Sequence, residues 1–171
     1  MIKTNLTINL NEDSWLKDIP NIDELSNNVL ISTLNYVQKN EEIDFLELNK
    51  AININLVLSN DEEIQELNKE FRNINKPTNV LSFALIDSDD FDDNIDIFNE
   101  IDLGDIIISY NTMKKEAKEK ETSLSSHYTH LFIHGVLHLL GFDHQDDDEA
   151  NYMENFEIEI LKTLNINNPY E

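Results

Sequence analysis

HYTHLFIHGVLHLLGFDH, residues 127–144, holds all five histidines of a chain of 171 residues, where even scatter would place fewer than one. His130, His134 and His138 recur every fourth residue, so on a helix of about 3.6 residues per turn they form a stripe that drifts about 40° per step. Two imidazoles of such a stripe can reach one ion. Gly141 is expected to end the helix, because glycine takes a left-handed C-cap without steric cost, and the chain then turns back to carry His144 toward the same point. Three imidazoles with one tetrahedral position left for water are the donor set of a catalytic zinc, whereas structural zinc takes four protein ligands. A histidine-rich helix can also be a polar stripe or a set of satisfied core histidines. Here spacing, capping glycine and third histidine agree on an ion held by His134, His138 and His144.

The chain has no cysteine, which removes disulfides, thiolate nucleophiles and sulfur ligands, leaving His, Asp and Glu as strong metal donors. The spacing H-x-x-x-H-x-x-G-x-x-H is that of zincins. Gly135, however, stands where metzincin peptidases carry their general-base Glu, which weakens a peptidase reading.

Working outward from this segment, Asp146 with Glu149 opens a helix over about 146–164, and a helical pattern precedes it at about 111–121; the histidine helix itself covers about 124–140. Alternation at Ile2, Thr4, Leu6, Ile8 and Leu10 predicts a strand, as it does at Ile52, Ile54, Leu56 and Leu58. Asn21 with Glu24 caps a helix to about Asn40, and Asn60 with Glu63 caps another carrying Ile64, Leu67 and Phe71. Arg72, Lys76 and Pro77 are read as a following loop. VLSFALI, residues 80–86, is β-rich, residues 87–102 read as a solvated acidic loop, and Gly104 precedes a further strand, DIIISY. Strands and helices interleave around one core, which predicts an α/β sandwich of about four strands in a single domain, residues 1–171.

No apolar run reaches the length of a membrane span and the N-terminus lacks a signal-peptide core, so a cytoplasmic location without membrane contact is expected. The formal charge of −23 repels polyanions at long range and argues against a free-standing nucleic-acid binder.

HYTHLFIHGVLHLLGFDH strongly resembles the signature of the YbeY endoribonucleases. NKEFRNINKPTNVLSFAL resembles the family's segment around its functional arginine, LGDIIIS its following strand, and the acidic helix after His144 its C-terminal region. The resemblance spans most of residues 50–171. It implies His134, His138 and His144 as ligands, Arg72 as the functional arginine, and an α+β, zincin-like fold: a small mixed sheet of about four strands, helices around it, and the metal-site helix beside it. It further implies a single-strand-specific endoribonuclease with one zinc per chain, acting in small-subunit ribosomal-RNA 3′ maturation and ribosome quality control. Ribosomal RNA is then the substrate, with ribosomal or ribosome-biogenesis proteins as partners. Phe142 and Ala84 depart from the Tyr and Pro common in relatives.

Within that reading Arg72 grips phosphate with a planar, always-charged fork, and Lys76 adds a phosphate contact. Asn79 or Ser82 orients the loop. His130 is either a proton shuttle, and so a catalytic candidate beside Arg72, or a group behind the ligands; His127 is read as surface. Asp143 either fixes the tautomer of a ligand histidine or makes a turn. Met153 sits in a helical pattern with Phe156 and Ile160 and reads as core. The competing functions are a zinc peptidase and a ribosome-associated binding protein with a structural zinc.

Overall fold

Strands that alternate apolar and polar residues bury one face each and pair edge to edge. In the computed structural model, which describes residues 2–171, β1 (Thr4–Leu10), β2 (Ala51–Ser59), β3 (Val80–Ala84) and β4 (Glu100–Ser109) form a four-stranded sheet in the order β1-β2-β4-β3. β1, β2 and β4 are parallel, and β3 runs antiparallel along one edge. The sheet is mixed, as expected for the α+β class.

The α-helices among the described residues are α1 (Ser14–Asp18), α2 (Ile22–Asn40), α3 (Asp61–Arg72), α4 (Phe91–Ile97), α5 (Tyr110–Glu119), α6 (Leu124–Leu139) and α7 (Asp147–Thr163). Ile52, Ile54, Leu56 and Leu58 of β2 and Ile106 and Ile108 of β4 join one core with Leu30 and Leu34 of α2 and Phe132, Ile133 and Val136 of α6. Each such side chain contributes roughly 1.5–3 kcal/mol on burial, so α6, which carries the histidines, is pinned to the sheet along its length. The other sheet face is polar at one end, where Asn53 Nδ2 donates to Asp102 at 2.8 Å and Asn55 Nδ2 to Asp105 at 3.1 Å. At the other end α3 covers it, packing Ile64 on Leu81 and Ile107.

The structure departs from the sequence reading in several places. Residues 87–102 are not one solvated loop: they hold α4, whose Phe91 is buried edge-on to Phe45, and the first residues of β4. Gly104 lies inside β4, at a register shift opposite Ile54, rather than before the strand. α1 was not expected; buried Trp15 anchors it by donating to the Ser59 carbonyl at 3.0 Å. α2 begins at Ile22, but Asn21 makes no side-chain cap. The other predicted caps form: Asn60 accepts from the Glu63 amide at 2.9 Å and Asp146 from the Glu149 amide at 2.8 Å.

Candidate metal centre and cleft

Ser123 opens α6 by accepting from the Ser126 amide at 3.0 Å. At the other end Gly141 N–H donates to the His138 carbonyl and Phe142 N–H to the Leu137 carbonyl, both at 3.0 Å, the bond pair of a Schellman stop. Gly141 has φ +102°, and an added Cβ would meet only Ile86 at 3.7 Å, so the position demands backbone freedom rather than space. This turn brings His144 beside the helix. It also points the Phe142 carbonyl back at His138, whose Nδ1–H it accepts at 2.9 Å.

His134 Nδ1–H donates in turn to Glu157 Oε2 of α7 at 3.2 Å. A carbonyl and a carboxylate only accept, so both histidines carry their proton on Nδ1 and turn a bare Nε2 outward. Those two Nε2 atoms are 3.0 Å apart, and facing lone pairs at that distance repel unless a cation draws on both. His144 completes a set whose donor atoms all lie within 4.8 Å of one another. Nitrogens around a tetrahedral zinc, at about 2.0–2.1 Å from the ion, sit about 3.3 Å apart. The three histidines therefore form a group that can hold a divalent metal. Burial, then the neighbouring His134 and His144, pushes His138 down to about 4, so it offers the neutral imidazole that a ligand must be.

Glu157 is 1% exposed. Burial works to raise its carboxyl, but hydrogen bonds from His130 and His134 outweigh it and hold the group down to about 2. His130 Nε2 donates to Glu157 Oε1, and the Tyr170 hydroxyl donates to the same oxygen at 2.8 Å. Burial and the Glu157 charge together raise the Tyr170 phenol. His130 thus faces a buried network behind the three-histidine cluster and does not line the cleft. Neither Glu157 nor Tyr170 was found from the sequence. The legible signal was a carboxylate in core register, four residues after Met153 and three before Ile160, because charged residues are almost never fully buried unless paired.

The histidines open into a cleft of about 720 Å³ bordered by β3, whose lining includes Arg72, Asn79, Ser82, Phe83 and Asp105. Arg72 is not in a loop but ends α3, where the helix dipole favours a cation. Its Nη2 donates to the Ser82 carbonyl at 3.0 Å. Asn79 Oδ1 accepts from the Val80 amide at 2.7 Å, while its Nδ2 donates to Glu116 at 3.1 Å. Lys76 is exposed and outside the cleft lining; its carbonyl accepts from Asn68 at 2.9 Å. His127 is buried rather than surface, 2.8 Å from Glu116. Asp143 accepts from the His144 amide at 2.8 Å, a turn contact. Met153 is core, as expected. An added Cβ at Gly135 would lie 2.9 Å from Ile106 Cγ2, so this position is where α6 touches β4 and has no room for a base.

The sequence model of the family described as Endoribonuclease YbeY matches residues 11–165. The chain is 47% identical over 167 residues to the Endoribonuclease YbeY of Francisella tularensis subsp. novicida (strain U112), covering 97% of this chain and 93% of the relative. It is 46% identical over 167 residues to that of Francisella tularensis subsp. tularensis (strain SCHU S4 / Schu 4), covering 97% and 90%. A Thermotoga maritima protein solved in solution shares the fold, with a TM-score of 0.55, 23% identity, and coverage of 94% of this chain and 92% of the other.

Proposed function

Because the chain belongs to the endoribonuclease YbeY family, we propose that it is a metal-dependent, single-strand-specific endoribonuclease. It acts in ribosomal-RNA maturation at the small-subunit 3′ end and in ribosome quality control, in the cytoplasm, with ribosomal or ribosome-biogenesis proteins as partners. The observation that carries this reading is that one cleft is shared by the three-imidazole set and Arg72.

Zinc, one ion per chain on His134, His138 and His144, is the cofactor; when bound it supplies Lewis acidity and a water with its pKa lowered to about 7. Glu157 and the Phe142 carbonyl hold two of the ligand rings in the required tautomer. A guanidinium has five donors, of which Arg72 spends one on Ser82, so the fork meets a phosphate already oriented. Lys76 contributes to RNA backbone outside the cleft rather than to the cleaved phosphate, and His130 acts through Glu157. The free edge of β3 would suit an extended peptide, but Arg72 occupies its Ser82 carbonyl and Gly135 leaves no general base, which disfavours the peptidase.

The test compares native protein with His138→Ala and Arg72→Ala on structured ribosomal RNA and on a peptide, with metal content measured alongside. His138→Ala should lose both metal and RNA cleavage. Arg72→Ala should keep its metal while cleavage falls about 10²–10³-fold, with Lys restoring part. Peptide turnover, or native cleavage by Arg72→Ala, would overturn the reading.

A further inference from the structure

The cleft has little positive charge with which to hold a polyanion. Among the described residues its lining carries Asp87, Asp105 and Asp143 against the single cation Arg72, so a bound divalent ion only brings the balance to zero. The whole chain, these residues included, carries −23. Counterion release, the usual source of nucleic-acid affinity, scales with the phosphates neutralised, and here there is charge for one or two. An RNA that stays long enough to be cut needs attraction of another kind.

The rim beside Arg72 offers it. Phe71 is 60% exposed and Ile74 44% exposed, although burying a phenyl ring is worth roughly 1.5–3 kcal/mol. The left-handed Asn73 stops α3 directly after Arg72, so both Phe71 and Arg72 are carried on its final turn. Phe71 stands edge-on to Phe83 with ring centroids 5.3 Å apart, and the Arg72 guanidinium lies 5.8 Å from the Phe83 ring centre. Phe83 lines the cleft. An exposed aromatic ring in edge contact with a ring of the cleft wall, and next to Arg72, has the make-up of a base-stacking site.

We propose that Phe71, braced by Phe83, is the platform on which a nucleobase of single-stranded RNA stacks, next to the phosphate held by Arg72. The proposal rests on the endoribonuclease reading and extends it. Bases in a duplex already stack on one another and present no face, so such a platform selects single strands. Every base has a π-face, so it does so with little sequence preference.

The experiment measures binding of a cleavage-resistant analogue of a short single-stranded RNA to the metal-loaded full chain by fluorescence anisotropy. A second probe is the same strand with the base removed beside the phosphate. Phe71→Ala should weaken binding of the first probe about tenfold, change that of the abasic probe little, and retain the metal; Phe71→Trp should bind at least as well as native. The salt slope should stay near −0.7 per phosphate contact, roughly one or two contacts in all. Equal binding by native and Phe71→Ala, or an equal loss on both probes, overturns the platform and leaves Phe71 a docking residue for protein. The endoribonuclease reading stands through either result, and fails instead if native protein neither binds nor cuts any RNA.

Discussion

Glu157 is a carboxylate with 1% of its surface exposed, surrounded by Met153, Phe156 and Ile160 of its own helix, which are buried in the core. Its desolvation would be prohibitive without partners, and it has them in His130, His134 and Tyr170. Those contacts make it a positioning residue: it fixes which nitrogen of His134 is bare. Glu157→Gln keeps the shape but replaces one acceptor with a donor, so one histidine must flip or lose its bond. Competition against a chelator should show zinc affinity about 10–100-fold weaker, and nitrogen NMR of His134 should show a mixed tautomer population in the metal-free protein. An unchanged affinity with a single His134 tautomer would remove Glu157 from the metal site.

The histidine helix and its glycine stop were legible from 127–144 because spacing, cap and third histidine lie in one local segment. Glu157, 23 residues beyond His134, could only be paired with it once α7 was placed against α6. The acidic stretch was misread for a different reason. Ile101 and Leu103 alternate with Glu100 and Asp102 as a strand should, but the register shift at Gly104 breaks the parity, and charge density masked what remained. β3 offers a test of the ladder itself. Ser109 N–H donates to the Asn79 carbonyl, and hydrogen-bonded pairs alternate along antiparallel strands. Phe83 therefore bonds to Asp105, while the Ala84 N–H points off the ladder. Ala84 has φ −83° and ψ 128°, close to what proline imposes. Ala84→Pro should leave thermal stability equal or raise it by about 0.4–1 kcal/mol, whereas Phe83→Pro should cost about 1–3 kcal/mol through the orphaned Asp105 carbonyl. The reverse order in denaturant melts would place the register one residue out.

At the scale of the whole molecule, no helix among the described residues is long and apolar enough to cross a membrane, and the dominant property is charge: 35 acidic against 12 basic side chains. Self-repulsion of this size destabilises the compact state, so any cation stabilises the protein to some extent, and a bare rise in melting temperature on adding zinc proves nothing about the three histidines. The two effects separate by concentration and by variant. Monovalent salt shortens the screening length from about 30 Å at 0.01 M to about 8 Å at 0.15 M; it should raise the melting temperature of native protein and of His144→Ala alike, because the surface is the same in both. Free zinc buffered at about a hundred times the native dissociation constant acts only through the site, adding about 2.7 kcal/mol, or roughly 5–10 °C for a chain of this length. His144→Ala should show almost none of that second increment while keeping the first. If instead both proteins gain equally from buffered zinc, the ion is held by the acidic surface and the histidine cluster is not its binding site.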